Sequence, residues 1–338
     1  GGLIKVHSAR DTTSSSSSSV VDSATAKREL RFSVDVDVCS DRSLTAQVEQ
    51  MLPVCEHAMV VRDFIRVHSR QSYGLVSHAL ASSIKLIFRE FDVLVAQLEY
   101  QLKMGKLSMQ RLVYLIQPSS RVLKLLALLA SRVWDQRGGE LLDTLHDVLM
   151  EQGEAKAKQL LLHLFSKAIE PFLGMIRRWI FAGELHDNYA EFMIKVDRSL
   201  SRDALSDDFN AQYWESRYTL NGKYTPKILR NVAHRILTAG KYLNVVKGCI
   251  ENGLNRKTFV TPDGESRDGG IVDLELPPQQ DLVLDSEGSV NGLTSIVEAA
   301  YRYSSKALLR LLEEGHGMSS HLNSLSRFFL LEHGDFFV

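Results

Sequence analysis

The sequence predicts a mainly all-α fold, an elongated irregular helical bundle with room for one small β-hairpin near residues 189–220. Apolar residues recur at steps of three and four over long stretches after residue 44, the spacing that lines one face of a helix. Glycines punctuate those stretches, and period-two alternation is confined to short segments. With 338 residues and 44% hydrophobic content, the chain is also long enough to bury a sizeable core.

Residues 1–43 open the chain as a largely disordered segment. The serine run Ser14–Ser19 has too little apolar surface to offset its ordering entropy. Phe32, Val34, Val36 and Val38 then alternate with Ser33, Asp35 and Asp37, the pattern of an isolated strand or of merely extended chain. The start at Gly1 without Met and the apolar end at Phe337-Val338 predict that neither terminus is native.

From residue 44 the pattern is helical. Between Tyr73 and Met104, Val76, Leu80, Ile84, Ile87, Phe91, Leu94, Leu98 and Leu102 form one continuous stripe. Gly105 suits the residue after that helix, and Ser108 suits the cap of the next. Leu112, Leu115 and Ile116 precede Pro118, whose missing amide and ring predict an end or a kink before the chain restarts along Val122–Val133. Gly138-Gly139 closes that stretch, and a shorter helix then carries Leu141, Leu142, Leu145, Val148 and Leu149 to Gly153. A longer one spans 154–182, with Leu161, Leu164, Phe165, Phe172, Ile176 and Trp179 inward, a bend or interruption at Pro171, and an end at Gly183.

The helical period lapses at 184–220, where aromatic and β-branched residues gather in 189–196 and 213–220, the two arms of the expected hairpin. Thr225-Pro226 reads as cap and first residue of the next helix, with Ile228, Leu229, Val232, Ile236, Leu237 and Leu243 inward. Gly240 within this helix costs about 1 kcal/mol relative to Ala, which predicts a packing reason for it. The stretch 251–292, with little periodicity, is expected to be a mobile insertion. Helices at 294–314 and 319–331 follow, so that 44–338 forms the bundle.

Chemistry is sparse. Forty Lys plus Arg balance forty-one Asp plus Glu to a formal charge of -1, so no bulk field favours nucleic acid or an anionic membrane. Cys39, Cys55 and Cys249 form no CxxC pair, which argues against a disulfide framework or a zinc site and for an intracellular chain. The longest fully apolar stretch near the middle, 125–130, is far shorter than the roughly 20 residues of a membrane-spanning helix. The histidines form no HExxH motif, and Gly248 and Gly253 lack the Lys-Ser/Thr ending of a phosphate loop. Ser82-Ser83-Ile84-Lys85 matches Ser-x-x-Lys only inside a long amphipathic helix. Arg62, Arg66 and Arg70 recur every fourth residue, either a basic ridge for phosphates or a solvated helix face, the latter being the default. These readings predict no enzyme, cofactor or metal.

Three clusters are more specific: Arg178-Trp179-Ile180-Phe181-Ala182-Gly183-Glu184-Leu185-His186-Asp187-Asn188-Tyr189-Ala190-Glu191-Phe192, then Tyr213-Trp214-Glu215-Ser216-Arg217-Tyr218, then Gly240-Lys241-Tyr242-Leu243-Asn244-Val245. In this order they resemble the gamma-tubulin complex component family, over roughly residues 44–250 and 293–338. Glu191-Phe192-Met193 stands where the family usually has Glu-Phe-Phe. The resemblance implies an N-terminal helical domain that packs side by side with that of sibling components, notably component 3. It also implies a second domain, outside this chain, that grips gamma-tubulin. A non-catalytic scaffold follows, templating microtubule nucleation at microtubule-organising centres and spindle poles in the cytoplasm. It needs no small-molecule substrate, nucleic acid or membrane. The alternative is a helical tethering or adaptor protein unrelated to microtubules. Trp179, Gly183, Asp187, Tyr189, Phe192, Tyr213, Trp214, Arg217, Tyr218, Gly240, Lys241, Tyr242, Leu243 and Asn244 are the candidate assembly residues. Their aromatic members are either core anchors or interface hot spots, with core favoured.

Overall fold

The computed structural model describes residues 4–9, 29–34, 42–197, 199, 211–251, 283–284, 290–315 and 317–329. Among them helix dominates, as the periodicity predicts. The serine run lies outside the described residues, and so does nearly all of the expected insertion. Two compact units divide the chain, Gly1–Phe172 and Leu173–Val338.

The first unit opens with β1 (Ile4–Ala9), which pairs antiparallel with β2 (Glu29–Val34). The start of the alternation expected at 32–38 is therefore strand, and 35–38 lie outside the described residues. Four helices follow: α1 (Arg42–His68), α2 (Leu75–Lys103), α3 (Met109–Val133) and α4 (Gly138–Glu151). α5 (Ala155–Arg177) crosses into the second unit. α1 packs on α3 and α2, burying Val61, Phe64 and Val67. The stripe of α2 is covered unevenly. Val76, Leu80 and Ile84 are fully buried, Ile87, Phe91 and Leu94 only half, Leu98 is buried again, and Leu102 is 62% exposed.

Ser108 caps α3 as expected, its hydroxyl accepting from the Arg111 amide, after Gly105 turns left-handed at φ 66°. Pro118 does not end α3, which corrects the first of the two expectations, an end or a kink. A proline removes one backbone bond and here exposes its ring, while Ile116 before it and Leu123 and Leu126 after it are buried in one core. α3 is long and apolar enough to cross a membrane by length and composition, although its unbroken apolar runs are short. One face of it is nevertheless buried against α1, and Arg111, Arg121 and Arg132 lie along it. Gly138 begins α4 instead of closing the preceding stretch. α5 passes through Pro171 and leaves α geometry only at Arg178–Ala182, a π-helical turn ended by left-handed Gly183 at φ 63°.

In the second unit, β3 (Ile194–Val196) pairs antiparallel with β4 (Tyr218–Leu220), so the small β element lies where it was expected. Its second aromatic arm is mostly helical: α6 (Ala211–Arg217) carries Tyr213, Trp214 and Arg217 up to the first residue of β4. The next helix also starts later than Thr225-Pro226. Pro226 is extended at ψ 142°, Thr225 turns its hydroxyl to the Asn221 carbonyl, and a 3-10 turn at Lys227–Leu229 leads into α7 (Arg230–Glu251). The short pair β5 (Val283–Leu284) and β6 (Val290–Asn291) precedes α8 (Leu293–Arg310), which packs on α7. α9 (Met318–Phe329) exposes Met318, Leu322 and Leu325 along one face.

Candidate functional site

The three sequence clusters converge in the second unit on one joint between the π-helical turn, β4 and α7. It begins with Trp179, fully buried on that turn. Its indole Nε1 donates to the Ile236 carbonyl of α7 at 2.8 Å. That approach requires Gly240, because a Cβ there would overlap the indole ring. The glycine predicted to need a packing partner has one, and only a residue without a side chain fits.

Asn244, one turn beyond Gly240, ties the joint together. Its amide nitrogen donates to the Gly183 carbonyl at 2.7 Å and to the Gly240 carbonyl at 2.9 Å. Its amide oxygen accepts from the Tyr218 hydroxyl at 3.2 Å. The Tyr218 ring packs against Trp179, centroids 4.9 Å apart, and burial raises its hydroxyl above the usual tyrosine range. Leu243 is buried beside Gly183, where a Cβ would sit 3.2 Å from that of Leu243. Left-handed geometry and close contact both select glycine at 183.

Asp187 organises the loop that follows. Its carboxylate accepts from the amides of Tyr189, Glu191 and Phe192 at 3.2, 3.1 and 2.8 Å. Three charge-assisted bonds hold Ala190 in a left-handed conformation at φ 54° and drop Phe192 into the core, 2% exposed. Arg217 lies over the rings of Tyr213, Trp214 and Tyr218, its guanidinium 5.3–6.0 Å from their centroids, and also bonds the Tyr213 hydroxyl. Lys241 reaches back to the Glu215 carbonyl at 3.0 Å, and burial lowers its pKa, with Glu215 opposing. Tyr242 is half-buried against Tyr301, centroids 6.1 Å apart, and burial together with that neighbour raises its pKa.

Most of the candidate residues are thus brought together, with their polar groups bonded inward. Tyr189 and Trp214 are half-buried and Tyr242 faces α8, at the margin of the joint. The arrangement holds helix ends at fixed spacing and orients no nucleophile or acid–base pair. Among the described residues no three His, Cys, Asp or Glu side chains gather as a metal site would require. In the first unit, Arg62 pairs with Asp92 and stacks over Phe88, and Arg66 pairs with Asp63, so two of the three ridge arginines are engaged within the chain.

Sequence reasoning missed a second polar centre. His68, fully buried in the first unit, stacks on Phe64 at 4.2 Å and touches Tyr73 and Trp134. Burial, and then the nearby Arg137 charge, push its pKa down to about 4. No spacing signal marks it, since its neighbours come from three segments: α1, the turn at Gln71–Tyr73 and the 134–137 connection.

The profile of the family described as gamma tubulin complex component N-terminal matches residues 11–314. Gamma-tubulin complex component 2 of Mus musculus is 34% identical over 90% of this chain, covering 31% of its own length. Component 2 of Arabidopsis thaliana is 29% identical over 92% of the chain and 43% of its own length. A spindle pole body component of Schizosaccharomyces pombe is 27% identical over 86% of the chain and 41% of its own length. Component 3 proteins match at 27–29% identity. The chain therefore spans about a third to two-fifths of the length of these component 2 and spindle pole relatives.

Proposed function

Because the chain belongs to the gamma-tubulin complex component family through its N-terminal domain, we propose that it is a non-catalytic scaffold element that assembles laterally with sibling components. Component 3 is the foremost partner. In this reading the work is geometric. Adjacent domains fix the spacing of gamma-tubulins that are held by a part of the protein outside this chain, and the resulting arc templates microtubule nucleation at spindle poles and other organising centres. The observation that carries the reading is the joint around Trp179, Gly240 and Asn244: residues on which the sequence resemblance rests are engaged in internal packing and bonding. A template needs fixed helix spacing more than it needs a pocket.

The test is association. The chain is mixed with the matching domain of component 3 and examined by sedimentation velocity. A heterodimer supports the proposal. A chain that stays monomeric with component 3, and with a second component 2 domain, returns the reading to an adaptor unrelated to microtubules.

A further inference from the structure

The half-buried middle of α2, from Ile87 to Leu94, forms one wall of an open groove in the first unit. The groove has a volume of about 1180 Å3, with α3 and the start of α5 completing it. Ile87, Phe91 and Leu94 on α2, Leu125 on α3 and Leu160 on α5 line it, all half-buried, while Leu128 on α3 is 43% exposed. The volume exceeds what a small ligand fills, roughly 300–1000 Å3. Its shape, a trough between helices with an apolar floor, suits the apolar face of one more helix.

The rim says which helix. Arg121 and Lys124 on α3 and Lys156 on α5 line it, with Glu154 two residues before Lys156 and Glu90 on α2. None of these five groups forms an ion pair within 4 Å among the described residues, and the lining keeps a surplus of positive charge. We propose that this groove is a docking site for an amphipathic helix of a partner protein, with leucine-type residues at i, i+4 and i+7 and acidic residues on the flanks. Burial of the apolar face supplies the affinity, and the acidic flanks facing Arg121, Lys124 and Lys156 supply the selectivity. The proposal is independent of lateral assembly, and its failure leaves that reading untouched.

The probe is a labelled synthetic helix with Leu at i, i+4, i+7 and i+11 and Glu along both flanks. Its control carries Lys at the flank positions. Anisotropy titrations with the full 338-residue chain should show the acidic helix binding about tenfold more tightly than the basic one, the order expected of two or three exposed charge pairs. The preference should shrink as salt is raised. Arg121→Glu with Lys124→Glu should abolish or reverse it. Leu128→Asp, at an exposed position, should remove binding of both helices while the circular dichroism spectrum and Tm stay near those of the parent chain.

Equal binding of the two helices, binding indifferent to Leu128→Asp in a folded chain, or no binding at all overturns the proposal. So does saturation of the groove by a second copy of the chain, seen as a dimer that Leu128→Asp dissociates. If Leu128→Asp fails to fold, Leu128→Ser serves in its place, with the same outcomes deciding.

Discussion

Gly240 is where one atom decides the packing of the second unit. A Cβ there would occupy the space of the Trp179 indole, and a ring held by a 2.8 Å bond to the Ile236 carbonyl cannot swing away without giving that bond up. Gly240→Val should therefore destabilise by about 3 kcal/mol and lower Tm by roughly 10 °C, the shift expected for a unit of this size. Trp179→Leu added to that variant should recover part of the loss, because the clash is pairwise. An unchanged Tm for Gly240→Val would mean that the indole and α7 are not in contact in solution.

His68 supplies the pH dependence at the same scale. Its folded pKa of about 4 lies below the ordinary histidine value of 6.5, so the unfolded chain takes up the proton more readily. The contribution of this site is fully present above about pH 6.5 and is lost as the pH falls toward 4, by about 3 kcal/mol at the upper bound. Carboxylates add their own acid sensitivity, which His68→Phe leaves in place. Urea denaturation at pH 7 and pH 4.5 should thus show a smaller loss of stability in His68→Phe than in the parent chain. Equal losses would show that His68 is not buried in its neutral form.

Between residue and helix, the segment 187–192 is a structural element made by one carboxylate. Asp187→Ala leaves the amides of Tyr189, Glu191 and Phe192 without their acceptor. The expected result is a local loss of about 1 to 3 kcal/mol, seen as faster hydrogen exchange at Glu191 and Phe192. Exchange within α2, in the other unit, should not change. Protection persisting at both amides would assign the loop's order to Phe192 packing alone. At this scale most of the structure was legible: α2, the Ser108 cap, Gly105 and Gly183 follow from period and end chemistry. The misreadings differ in cause. At Pro118 the buried faces on either side outweigh the local propensity to break, and at Thr225 a side-chain bond to the Asn221 carbonyl delays the start of α7.

For the chain as a whole, a net charge of -1 limits how it can meet a partner. If lateral assembly is correct, it must depend on local surfaces, so the Kd for the component 3 domain should change by less than about tenfold between roughly 0.1 and 0.5 M salt. A steep salt dependence would put opposed charge at the interface instead. The helix-docking groove makes the contrasting prediction, since its selectivity comes from unpaired rim charges and salt should erode it.

The sequence by itself determined that the chain is helical, where most helices lie, which glycine needed an intimate neighbour, and which family it joins. Those properties are written in nearest-neighbour spacing, which a helix converts directly into a face. Only the tertiary structure decided that Asn244 links to Gly183 across 61 positions, that His68 is sealed among aromatic rings, and that part of one apolar stripe borders an open groove. Each of these depends on what lies opposite a residue in space, and a helical period carries no record of the surface it will meet.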